Sequence, residues 1–215
     1  MIRVGIVAEG PSDWFALEEL IKAVRPDVEF QHLRPDMTLV SRSPHGWRGV
    51  KAWCQQEGQR LETLLTGVSG LPIHVLVIHV DCSMAPHVDA LRDCPPARDT
   101  ADALREVVVR DWLGLSALPE SVVLATPSWT TDTWIVAALD PPYTGSLPLE
   151  CDDRAERELS QRRLLRLRDG EVKKPEAKYR PLAEAMAQAL DRVCAVCTEA
   201  LRFREEFVAA VRLVP

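Results

Sequence analysis

Four short runs of aliphatic and β-branched residues punctuate the first 125 positions of the chain, at residues 2–8, 28–33, 73–80 and 121–125. Apolar positions in them crowd together rather than alternate with polar ones, the pattern of strands covered on both faces of a parallel sheet. Between and after them the apolar spacing changes to three and four, which predicts helices over residues 12–21, 47–65, 101–113 and 129–139. Ser12 stands as an N-cap after the turn at Gly10. In the second helix Val50, Trp53, Leu61, Leu64 and Leu65 are the inward positions. Residues 34–46 and 83–99 carry prolines and read as irregular loops. Strands alternating with helices predict an α/β layout of βαβ units with right-handed crossovers and a mainly parallel four-stranded sheet. Residues 140–148, rich in proline and glycine, break the pattern, and beyond them it is helical only, over 152–168, 179–189 and 192–211. The expected organisation is an α/β core over residues 1–139 with a helical C-terminal extension over 140–215 packed on it.

With 215 residues, 47% of them hydrophobic and 27% charged, the chain has the composition of an ordinary globular protein and length enough for a substantial core. No apolar stretch approaches the ~20 residues that cross a bilayer, so no membrane role is expected. The first segment has no basic-then-apolar leader, and the expected location is the cytoplasm. The six cysteines lack the spacing of a small secreted domain, and no second CxxC or histidine pair accompanies Cys194 and Cys197 at zinc spacing. Those two are expected as buried, inert thiols.

The net charge of −6 argues against a generally adhesive nucleic-acid binder, but residues 162–180 hold eight basic and three acidic groups. A phosphate backbone could be held there; a solvated helix face and loop would look the same.

The first and third strands both end in an acid. Ile6-Val7-Ala8 stops at Glu9-Gly10, and Val77-Ile78-His79-Val80 stops at Asp81. In open α/β sheets, ligands gather outside the carboxyl ends of strands. Asp13, one helical turn after Glu9, and Asp132, in the first turn after the fourth strand, can reach the same region. Any one of these acids has an ordinary place near a helix N-terminus. Together they repel, and a hard divalent cation such as Mg²⁺ would relieve that repulsion while organising phosphoryl chemistry. His79 is expected to face the core or a helix rather than this site, and His87 to be solvated. Trp47, Trp53, Trp129 and Trp134 are candidate base-stacking platforms, with core packing the default for Trp53 and Trp134. No phosphate-loop, Gly-x-Ser-x-Gly or His-Glu-x-x-His motif is present.

The segment Val4-Gly5-Ile6-Val7-Ala8-Glu9-Gly10-Pro11-Ser12-Asp13 resembles the first motif of the TOPRIM family, and Val77-Ile78-His79-Val80-Asp81-Cys82-Ser83 resembles its second. Gly46-Trp47-Arg48-Gly49-Val50-Lys51 and Pro127-Ser128-Trp129-Thr130-Thr131-Asp132-Thr133-Trp134 are similar to stretches of compact, stand-alone bacterial TOPRIM-like proteins, some encoded beside ATPases in phage-defence loci. The resemblance implies a doubly wound core and a nuclease that hydrolyses DNA or RNA with Mg²⁺ or Mn²⁺. Glu9 and Asp81 would then be catalytic, and Glu9, Asp13, Asp81, Ser83 and Asp132 would surround the metal. Lys173, Lys174, Lys178 and Arg180 would hold the phosphate backbone, and an ATPase would be the partner. Ser83 departs from the family's Asp-x-Asp pattern, since a hydroxyl brings no charge. The alternative is therefore a degenerate TOPRIM-like subunit that binds a partner protein or nucleic acid and cuts nothing.

Overall fold

The computed structural model describes residues 1–34, 46–68, 70–168 and 170–214. Four parallel strands, β1 (Ile2–Val7), β2 (Val28–Arg34), β3 (Val75–His79) and β4 (Val122–Ala125), lie in the order β2-β1-β3-β4. This is an α/β protein of the doubly wound kind, because successive connections leave β1 toward opposite edges of the sheet. The predicted strands all form. Most of the loop expected over 34–46 lies outside the described residues; Arg34 ends β2 and Gly46 precedes the next helix.

Alternate residues of each strand feed two separate cores. Val4, Ile6, Val75, Val77, Val123 and Ala125 point to one face, and Val7, Leu76, Ile78, Val122 and Leu124 to the other. The first face is covered by α1 (Pro11–Val24), by α5 (Thr131–Ala138) and by C-terminal helices, of which Tyr179, Phe203 and Phe207 belong to the same core. The second face is covered by α2 (Trp47–Glu57), α3 (Leu61–Thr66) and α4 (Ala97–Val107), the last running on into a π-helical turn at Val108–Trp112. Apolar cover on both sides explains why these strands read as continuous hydrophobic runs. Gly58, between α2 and α3, is a point of close contact, since a Cβ there would meet the Leu113 carbonyl oxygen at 2.4 Å. Trp134 is fully buried and stacks on Phe203, while Trp53 is half-buried against the second core.

The C-terminal third departs from the all-helical expectation. α6 spans only Ala155–Gln161, and an antiparallel ribbon of β5 (Arg166–Arg168) and β6 (Glu171–Lys173) replaces the end of the predicted 152–168 helix. Arg163, with φ 60°, takes the left-handed conformation that stops a helix, and Gly170, φ 81°, supplies the positive φ of the ribbon's turn. α7 (Glu176–Gln188), α8 (Leu190–Val196) and α9 (Thr198–Arg212) complete the chain. Among the described residues no helix is long and apolar enough to cross a membrane. Cys194 and Cys197 are buried free thiols. Cys94 and Cys151, which the sequence does not pair, form a disulfide between the loop beyond β3 and the short 3₁₀ turn Leu149–Cys151.

Candidate metal and acid–base site

The sheet order reverses at the β1–β3 boundary, and the parallel register Val7↔Ile78 brings the ends of these two strands almost level. Two residues past β1 and two past β3 stand Glu9 and Asp81. Glu9 Oε1 accepts the backbone N–H of Asp81 at 2.8 Å, so the two acids leave the crevice as a hydrogen-bonded pair of strand ends. Asp13 joins them from the first turn of α1. Its Oδ2 accepts the Gly10 N–H at 2.9 Å, which closes the turn between β1 and α1 and aims the carboxylate back at the sheet.

Thr131, the first residue of α5, ties the cluster together. Its hydroxyl donates to Asp13 Oδ1 at 3.0 Å and lies 2.9 Å from His79 Nε2, while its backbone N–H donates to Asp81 Oδ1 at 3.1 Å. His79 is fully buried and places Nε2 3.2 Å from Asp81 Oδ1. The expectation that His79 faces away is therefore wrong. Side chains two apart along a strand share a face, so His79 and Asp81 turn to the same side as Val75 and Val77. Asp13, His79 and Asp81 each offer a ligand atom within 4.8 Å of the other two.

Burial and the neighbouring Asp81 charge push the Glu9 carboxyl up to about 8, despite the pull of His79. Burial raises Asp13 as well. For His79, burial alone would favour the neutral ring, but the charges of Asp13 and Asp81 outweigh it and lift the imidazole to about 9. Raised carboxyls and a raised imidazole side by side mark a region of negative potential that takes up protons, and a cation could take their place. Asp13, His79 and Asp81 form a group that could hold a metal ion, with the Glu9 carboxylate beside them on the Asp81 N–H. His79 Nδ1 is buried without a protein partner among the described residues, whereas an imidazole that ligates a metal normally donates its second N–H. His79 lacks that second bond, and it stands as a charge partner to Asp13 and Asp81 as well as a member of the ligand group.

The other expected ligands go elsewhere. Asp132 is fully buried, but its Oδ1 accepts the Tyr179 hydroxyl at 2.9 Å and its Oδ2 lies 2.7 Å from Lys174 Nζ. Burial pushes Asp132 up to about 7 against the pull of Lys174, and raises the Tyr179 phenol well above its usual range, so Tyr179 stays a donor. Asp132 is thus paired with Tyr179 and Lys174 and does not belong to the Asp13–His79–Asp81 group. Ser83 is exposed, in the 3₁₀ segment Cys82–Val88, with its backbone N–H given to Trp129 O at 2.9 Å.

The expected phosphate-binding cations are likewise separated. Lys174 is not a surface charge: it bridges Asp132 and Glu156, each at 2.7 Å. Arg180 is taken by Glu176 at 2.9 Å and lies over the Phe15 ring. Lys173 is exposed and paired with Glu171, and Lys178 is exposed with no ion-pair partner among the described residues. Trp47 stacks on Trp112 and on the exposed His87 beside α2.

Sequence reasoning missed His79 and Thr131. For His79 the signal was present, two residues before an acid in a strand. A lone threonine opening a helix carries no such signal. Comparisons of the chain with protein-family models, with curated proteins and with solved structures each return no match, so the reading of this site rests on its own geometry.

Proposed function

We propose that the chain is a divalent-cation-dependent phosphodiesterase with a TOPRIM-like core, acting on DNA or RNA. The observation that carries this reading is the joined pair of strand-end acids at the sheet's switch point, Glu9 Oε1 on the Asp81 N–H, with Asp13 drawn in through Thr131. Glu9, Asp13 and Asp81 would hold Mg²⁺ or Mn²⁺, which when bound neutralises a phosphate oxygen and makes water a better nucleophile. Glu9 keeps its proton to about 8 in the metal-free protein, and a cation held by this carboxylate would displace that proton. Thr131 fixes the orientations of Asp13 and Asp81, and His79 balances their charge. An ATP-driven step, if the cell couples one to this reaction, falls to a partner ATPase, because the chain has no phosphate loop.

Titration calorimetry with Mg²⁺ and Mn²⁺ on the wild type, Glu9→Gln and Asp81→Ala tests this, followed by cleavage of labelled DNA and RNA. The expected result is metal binding that both substitutions weaken at least tenfold, with cleavage only in the wild type. Wild type that binds neither ion, with or without nucleic acid, overturns it.

A second reading has its own support. His79 already supplies a buried positive charge beside Asp13 and Asp81, and the second acid of the expected motif is an exposed serine. A degenerate subunit that binds without cutting would keep the cluster as a proton-filled structural element. It predicts no metal binding and no loss of fold in Glu9→Gln.

A further inference from the structure

The β5–β6 ribbon and the segment leading into it enclose a groove of about 700 Å³ beside α7. Arg163, Arg166, Arg168, Lys173 and Lys178 line it, all exposed, and no acidic residue does so among those described. In a chain of net charge −6 this is a concentrated positive field, even with Lys173 paired to Glu171 outside the lining. Arg166 and Lys173 stand directly opposite each other in the ribbon, an arrangement of like charges that weakens a two-stranded sheet. Arg163, Arg166 and Lys178 have no ion-pair partner among the described residues. Between the cations Leu167 is 58% exposed, an apolar surface at the lip of the groove.

We propose that this groove binds the phosphate backbone of a single nucleic-acid strand. Charge complementarity selects a polyanion. The concave shape and the exposed leucine suit a flexible strand, whose unstacked bases can turn onto apolar surface while its phosphates meet the cations, better than a stiff duplex. The proposal deepens the reading above and rests on it for the identity of the substrate. β6 ends at Lys173, and the next residue, Lys174, is anchored to Asp132, the neighbour in sequence of Thr131, which ties the groove to the element that holds the acidic cluster. The binding surface accordingly moves from the expected Lys173, Lys174, Lys178 and Arg180 to the groove cations, of which only Lys173 and Lys178 are shared.

The test is fluorescence anisotropy with a labelled oligothymidylate of about 20 nucleotides, longer than one ordinary single-strand site, in EDTA. Wild type should bind, and Arg163→Ala/Arg166→Ala should weaken binding at least tenfold at low salt. The dependence of log K on log salt should become shallower by about 1.4, the release expected from two lost phosphate contacts. Arg163→Lys/Arg166→Lys should restore most of the affinity, since phosphate reads charge here. Thermal melting of each variant shows that the fold is kept, both arginines being exposed and unpaired. Equal binding by wild type and the alanine variant, no binding by wild type, or tighter binding of a duplex of equal length overturns the proposal. So does capture of anionic vesicles or polyglutamate without the oligonucleotide. Binding in EDTA without cleavage in Mg²⁺ or Mn²⁺ supports the groove and removes only the catalytic reading.

Discussion

Thr131 contributes a single hydroxyl, yet that oxygen meets Asp13 and His79 while the same residue's N–H meets Asp81. Replacing it with valine keeps shape and helix position and removes one buried donor–acceptor. Two polar partners are then left short of a bond, and Thr131→Val should lose about 1–3 kcal/mol of stability in urea denaturation. It should also weaken Mn²⁺ binding in calorimetry, because Asp13 keeps only its bond from the Gly10 N–H; an unchanged affinity would remove Thr131 from the site. Lys174 behaves differently, since its charge is buried against Asp132. Burial opposes the ammonium, but Asp132 and Glu156 hold it more firmly protonated than a free lysine. Lys174→Met strands Asp132 beside Glu156 and should cost about 3–5 kcal/mol, reduced to the extent that Asp132 takes up a proton. If the variant melts with the wild type, the pair contributes nothing to the fold.

The secondary elements differ in how far the sequence announces them, and the reasons are physical. β1 and β3 were legible because both faces are covered, which leaves unbroken apolar runs such as Val75–His79. Their terminal acids were legible with them, since leaving the strand end is itself a sequence position. The β5–β6 ribbon was hidden because its strands are three residues long and full of arginine, lysine and glutamate, which suit a helix equally well. The cue it does carry is Asp169-Gly170 between Arg-Leu-Arg and Glu-Val-Lys, a hairpin signal outweighed by the helical spacing around it. The place of Asp132 depended on Tyr179 and Lys174, which lie more than forty residues away and leave no local trace. Contacts between elements also set the tolerance at Gly58. Gly58→Ala puts a methyl into the Leu113 carbonyl between the α2–α3 junction and the π-helical turn, and backbone on both sides cannot yield cheaply. A loss of about 1–3 kcal/mol in urea denaturation is expected, although alanine favours helix elsewhere.

Across the neutral range three buried groups make stability depend on pH in one sense. Glu9 at about 8, Asp132 at about 7 and His79 at about 9 all hold protons more tightly in the fold than in the unfolded chain. The native state therefore binds more protons than the unfolded state through this range, so stability is greatest on the acid side and falls as pH rises toward 9. In EDTA the melting temperature should decline from pH 6 to pH 9. Millimolar Mn²⁺ should flatten that decline, since a cation replaces the protons; identical profiles with and without the ion would speak against the metal site. The Cys94–Cys151 bond acts on a still larger scale. It closes a covalent ring that contains α4, β4 and α5, and the exposed proline-rich segment after α5 lies inside that ring. Such a segment is where a protease cuts first. Chymotrypsin acting at Tyr143 would sever the backbone without separating the halves. The nicked protein should migrate as one species on a non-reducing gel and as two after thiol treatment, its pieces held by sulfur where the peptide bond has gone.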